Sequence, residues 1–213
     1  MHLTKLLLAA VAFTAVALAQ NPIAADSPFQ VRYASNLNSG DALIEITNSG
    51  ANGASLFGPG VGAVGNICVN VYAFSPDEQL ISCCSCLVTP DGLVSLSVNG
   101  DLTSNTLTGV RPNSVVVKLI STLAGAGGSG TSCTGSAASV SSGNLATGLA
   151  AWGTSVHTNP TGGVDTTATP FTPSTLSAGE IASVANRCIN IIGNGSGFGV
   201  CNSCRLDGNP PPP

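Results

Sequence analysis

The thiols come first, because they are the densest cluster of reactive side chains in the sequence. Cys83, Cys84 and Cys86 fall within four positions of "ISCCSCLVTP", and Cys201 and Cys204 repeat the C-x-x-C spacing of Cys83 and Cys86. Three chemistries use that spacing. Two C-x-x-C units supply four thiolates for tetrahedral zinc. A C-x-x-C at a helix N-terminus lowers a thiol pKa for redox exchange. In an oxidising compartment, an even set of cysteines pairs into disulfides. Neither unit opens a helix: Leu87, Val88, Thr89 and Pro90 follow the first, and the second runs toward four prolines. On a strand, Cys84 and Cys86 point to one side and Cys83 to the other, so one strand can be stapled to partners on both of its faces. The expectation is disulfides for all eight cysteines, Cys68, Cys83, Cys84, Cys86, Cys133, Cys188, Cys201 and Cys204, with no metal and no cofactor. Cys188 and the tail cysteines are close in sequence, so at least one bridge is expected to fasten the tail to the helix or the sheet.

Catalytic groups are sparse. His157 is the one histidine after the first few residues, and Asp165 lies near it. No serine sits in a G-x-S-x-G elbow. "GNGSGFG" is glycine-rich but follows a helix and lacks the lysine of a phosphate loop. The acids are scattered, mostly in turns such as Asp77 and Asp91. A hydrolase using His157 is therefore the third reading, and no catalytic residue is assigned.

The compartment that favours disulfides is written at the N-terminus. "MHLTKLLLAAVAFTAVALAQ" has Lys5, an apolar run and a small-residue Ala17-Leu18-Ala19 end. This predicts a secretory signal peptide over 1–19 and a mature chain from Gln20. No later segment is apolar and long enough to span a bilayer, so no membrane anchor is expected after cleavage. Loss of Lys5 leaves five basic against ten acidic residues, a net charge of −5. With no basic patch, nucleic acid is not an expected partner. Charged residues are 8% of the chain and Gly numbers 26, a composition that fits an exported β-rich protein and not a helical bundle.

The elements that position the cysteines read as short strands and one helix. Residues 20–40 form an N-terminal extension in which Phe29, Val31 and Tyr33 alternate with Gln30 and Arg32, the pattern of a strand with one buried face. That strand either opens its own sheet or is donated to a neighbouring copy, burying Phe29, Val31 and Tyr33 there. Residues 41–204 form a single disulfide-stapled β domain. "DALIEIT" and "NICVNVYAF" alternate, Pro76-Asp77-Glu78 turns, and "QLISCCSCLV" returns. A three-residue loop there puts Cys68 opposite Cys86, and a two-residue loop puts Cys68 on the face of Cys83. Asp91-Gly92 and Asn99-Gly100 favour hairpin turns, and "SVVVKLI" reads as a buried strand. Residues 121–144 read as a Gly/Ser-rich surface loop tied down by Cys133. In 145–173, Leu145, Leu149 and Trp152 fit one short helical face, and the prolines that follow argue for irregular chain. The spacing predicts a helix over 178–192: Ser177 and Glu180 form a capping box, and Leu176 and Ile181 a hydrophobic staple. Ile181, Val184, Ala185, Cys188, Ile189 and Ile192 share a face, and Gly193 supplies the stop. Residues 205–213 form a Pro-rich tail.

"NICVNVYAFSPDEQLISCCSCLVTPDGLVSLSVN" and "TLSAGEIASVANRCINIIGNGSGFGVCNSC" resemble a family of exported, cysteine-rich bacterial proteins. The resemblance implies bacterial export and a shared disulfide framework, and it brings no activity with it. The expected fold is mainly β: an antiparallel β-sandwich-like domain with one C-terminal α-helix, disulfide-rich. The expected role is structural, a secreted subunit of a cell-surface or extracellular filament or matrix that associates with itself. The alternative is a secreted carbohydrate- or surface-binding module.

Overall fold

The computed structural model describes residues 26–58 and 62–204. The expected signal segment 1–19, the start of the extension and the 205–213 tail lie outside the described residues. Nine strands and one long helix follow in order: β1 Phe29–Ala34, β2 Gly40–Asn48, β3 Ile67–Phe74, β4 Leu80–Val88, β5 Leu93–Ser97, β6 Val115–Leu123, β7 Leu149–Thr158, β8 Val164–Pro170, β9 Thr172–Pro173 and α1 Ala178–Gly193. Two antiparallel sheets result. One, here sheet A, has the order β4-β3-β6-β1-β9; the other, sheet B, has the order β5-β2-β7-β8.

The alternation in β3 shows how the layers are made. Ile67, Val69, Val71 and Ala73 enter the core between the sheets, where they meet Ile44, Ile46 and Leu96. Tyr72 and Phe74 point the other way, into a second core under α1 with Ile181, Val184 and Ile191. Sheet A is therefore covered on both faces, which is why β3 and β4 are buried almost throughout. Sheet B has one face in the core and the other in solvent.

The α1 helix starts where expected. The Ser177 hydroxyl accepts a hydrogen bond from the Glu180 N–H at 3.1 Å. The returning arm of the capping box does not form: the Glu180 carboxylate pairs instead with Lys118 on β6. The buried stripe is Ile181, Val184, Ala185, Cys188 and Ile191, with Ile189 47% exposed, so the covered face is turned away from Ile189 toward Ile191. The left-handed residue that ends the helix is Gly195, at φ +68°, two positions beyond the expected Gly193.

Four expectations need correction. The 145–173 region is neither helical nor irregular but the β7–β8 hairpin. Its inward residues Leu149, Ala151 and Gly153 are mostly small, so the two-residue period barely shows in hydropathy. Asp91-Gly92 does not close a hairpin but carries the chain from sheet A to sheet B. Asn99-Gly100 lies in a wide helical turn over Val98–Leu102. The 121–144 loop is not merely superficial: Ala124, Ala137 and Val140 are buried, and the Tyr72 hydroxyl donates to the Ala137 carbonyl at 2.7 Å. Burial pushes the Tyr72 phenol well above its usual range.

The β3–β4 hairpin turns as the three-residue loop predicts, with the Ser75 N–H donating to the Gln79 carbonyl at 3.0 Å. Phe74 then faces Leu80, but Ala73 faces Ser82, so Ile81 is an extra residue in β4. The slip of one places Cys68 opposite Leu87, not Cys86.

Candidate functional site: the disulfide clamp and the sheet edges

All eight cysteines are bridged: Cys68–Cys133, Cys83–Cys188, Cys84–Cys201 and Cys86–Cys204. The face rule for β4 holds. Cys83 points to the helix side and ties to α1, while Cys84 and Cys86 point to the core between the sheets and tie to the tail. Cys68 anchors the 121–144 loop, so neither register proposed for it supplied its partner. The bridges span 65, 105, 117 and 118 residues. Each, alone, is worth about 4–5 kcal/mol in the chain-entropy account. Three share β4, so their effects do not add. Every bridge has one end in sheet A; no strand of sheet B carries a cysteine. Four disulfides with no free thiol suit an oxidising compartment. Among the described residues, no helix is long and apolar enough to cross a membrane.

The chain also covers part of an edge. An edge strand with unpaired backbone invites another chain. On β4, the Cys83 N–H donates to the Gly199 carbonyl and the Leu107 N–H to the Ile81 carbonyl, both at 2.9 Å. The opposite edge of sheet A is β9, two residues long and ending at Pro173. Sheet B is different. On β5 the Ser97 N–H is taken by the Asp101 carboxylate at 2.7 Å. On the outer edge of β8 nothing comparable occurs among the described residues. Among the described residues, β8 is the one strand longer than two residues in which every residue is exposed. The Phe171 N–H donates to the Ala151 carbonyl at 2.9 Å, which sets the phase of the ladder. Thr169, Thr167 and Asp165 exchange hydrogen bonds with β7. Ala168, Thr166 and Val164 turn their N–H and C=O groups to solvent.

The proposed assembly strand is β1, and in this chain it lies inside its own sheet, paired with β6 from Phe29↔Ile120 to Ala34↔Val115. Phe29, Val31 and Tyr33 do share a face, but only Phe29 is buried; Val31 is half-buried and Tyr33 is 62% exposed. The opposite face, read as polar and outward, turns toward sheet B. The Gln30 amide donates to the Leu149 carbonyl at 2.7 Å. The Arg32 guanidinium crosses to the Thr169 carbonyl at 2.8 Å and to the Ser155 hydroxyl at 3.2 Å. It runs over Gly153, where an added Cβ would lie 2.1 Å from Arg32 Nε. Burial lowers the Arg32 pKa. Sequence reading missed this strut, because the periodicity of β1 does not reveal that its Gln30 and Arg32 face meets a second sheet.

His157 stands directly opposite Asp165 in the β7–β8 ladder. Among the described residues no triad is assembled around it: Asp165 accepts from the Asn159 amide at 3.3 Å, the Ser155 hydroxyl is held by Arg32, and His157 Nδ1 is buried without a hydrogen-bond partner. On the open face of sheet B, Trp152 is 42% exposed, opposite Glu45 on β2 and Pro170 on β8.

No protein-family model, curated protein or solved structure matches the chain.

Proposed function

We propose that the protein is a secreted structural subunit of a cell-surface or extracellular assembly, a filament or matrix that forms by self-association. The observation that carries this reading is the contrast between a covalently closed sheet A and the bare β8 edge of sheet B. Unpaired strand edges are commonly blunted by lysine, proline or a covering loop. Here Gly199 and Leu107 cover one end of the β4 edge, while among the described residues nothing covers the seven residues of β8, with Asp165 their one charge. Low charge and complete oxidation suit a subunit that persists outside the cell. Exchange of β1 between copies is a second contact of the same kind. Donated by a neighbour, β1 would make in trans the six-residue ladder with β6 that it makes here in cis.

A second reading, a glycan-binding module, is favoured by Trp152. An indole on an open sheet face, with the Glu45 carboxylate beside it, is a surface on which a sugar ring stacks. Electron microscopy of the secreted, oxidised product separates the readings. Filaments or sheets are the expected result. A monomer that assembles under no condition and is retained on polysaccharide would replace the first reading with the second. Removal of residues 21–35 tests β1 exchange: polymers that form unchanged without them would end it.

A further inference from the structure

We infer that β8 pairs with the β8 strand of a second copy, antiparallel about a two-fold axis at Thr166, joining two four-stranded sheets into one of eight. The inference rests on the reading of β8 as the assembly edge and names its partner.

Three outward-facing residues, Val164, Thr166 and Ala168, are evenly spaced along β8. A two-fold axis at Thr166 sets Thr166 against Thr166 of the second copy, and Val164 against Ala168. Each of these is a pair that exchanges N–H···O bonds. All three side chains stand on the solvent face of sheet B, so the faces of the two sheets match across the junction. Asp165 falls opposite Thr167, so the strand's one charge does not meet its own copy. No bulky side chain blocks the edge, and Pro170, which has no N–H, lies outside the paired stretch.

The competing partner on a second copy is β5, and the structure disfavours it. The Ser97 N–H at its edge is already held by Asp101. That leaves Leu93 and Ser95, two outward residues against the three of β8, before the chain enters the wide turn at Val98. The β4 edge is taken at Cys83 by Gly199 and at Ile81 by Leu107, which leaves at most Ser85 and Leu87 facing outward. Two-fold closure is also the commonest symmetry of soluble assemblies. The paired unit is then a dimer, and longer polymers need a second contact such as β1 exchange.

The test uses the oxidised, secreted protein and reads register. In a hydrogen-bonded antiparallel pair the Cα atoms lie about 5.5 Å apart, within disulfide reach. T166C is expected to give a covalent dimer under mild oxidation. V164C alone is not, because that residue faces Ala168, while V164C mixed with A168C is. In sedimentation, T166K and T166E are each expected to weaken self-association by roughly two- to fivefold, with the equimolar mixture restored. Thr166 is exposed and its side chain makes no hydrogen bond among the described residues, so these variants are expected to keep the fold, which circular dichroism checks. Equal cross-linking of T166C and V164C would overturn the pairing. So would wild-type assembly that proceeds undiminished in T166K, and in that case the assembly reading would stand. A wild-type protein that stays monomeric at every concentration would overturn both.

Discussion

Sheets A and B come from the same chain and meet in one core, yet they are finished in different ways. Sheet A has a helix and a buried loop over its outer face, a disulfide to each covering segment, and an isolated bridge from Val200 to Cys83 on β4. Sheet B carries no cysteine and, among the described residues, shows its outer face to water and has nothing along the β8 edge. The difference teaches that the bridges do more than stabilise. They hold the segment around Gly199 against the Cys83 end of β4, and on the proposed reading the β8 edge of sheet B is the one left for pairing. On the proposed reading, the bridges stabilise sheet A and the two-fold contact is made by sheet B.

The comparison can be broken most forcefully by reduction. The oxidised protein should resist trypsin far longer than the reduced protein, since few Lys and Arg sites exist and the tail is held by two bridges. Equal digestion of the two forms would show that the clamp does not support the fold. Removing the Cys84–Cys201 and Cys86–Cys204 pairs together, by alanine at all four positions, should cost several kcal/mol in chemical denaturation.

A smaller effect is expected where the two sheets are tied by Arg32. G153A places a methyl against the guanidinium and should cost about 1–3 kcal/mol. An unchanged midpoint would mean that Arg32 moves aside without loss. Alkali probes the helix-side core. The folded pKa of Tyr72 is raised, so the unfolded chain loses that proton first. The stability tied to Tyr72 is present below about pH 10, the pKa of an unburied phenol, and falls as pH rises above it. Its phenolate absorbance should therefore appear together with unfolding, and Y72F should remove that step. A Tyr72 that titrates in the folded protein would contradict its burial.

The smallest effects are expected at two surface features. S177A removes the α1 cap and should cost about 1 kcal/mol. K118M breaks a partly exposed ion pair with Glu180 and should change stability by less than about 1 kcal/mol.

Particular residues show where the sequence was readable. Ser177 and Glu180 located α1 because capping is a local interaction that needs no knowledge of the partner. The opposed faces of Cys83 and Cys84 were legible for a similar reason: strand alternation depends on neighbours alone. What was not legible depended on the other sheet. The extra residue Ile81 has no sequence mark, and it changed the register enough to remove Cys68 from Cys86. β7 and β8 use Ala, Gly and Thr where a hydropathy period needs larger residues. Arg32 looked like the solvent side of β1 because nothing local says that a second sheet lies beyond it. The bare edge of β8 could not be read at all, since an edge exists only once the order of strands is known.

Hydrogen–deuterium exchange, resolved to single amides and compared between dilute and concentrated protein, tests the central claim most directly. The prediction is that the Val164, Thr166 and Ala168 amides exchange freely in dilute monomer and become protected on assembly, while the Cys83 amide on β4, already bonded to Gly199, is protected in both. Assembled protein in which the three β8 amides still exchange as fast as in the monomer would contradict the account.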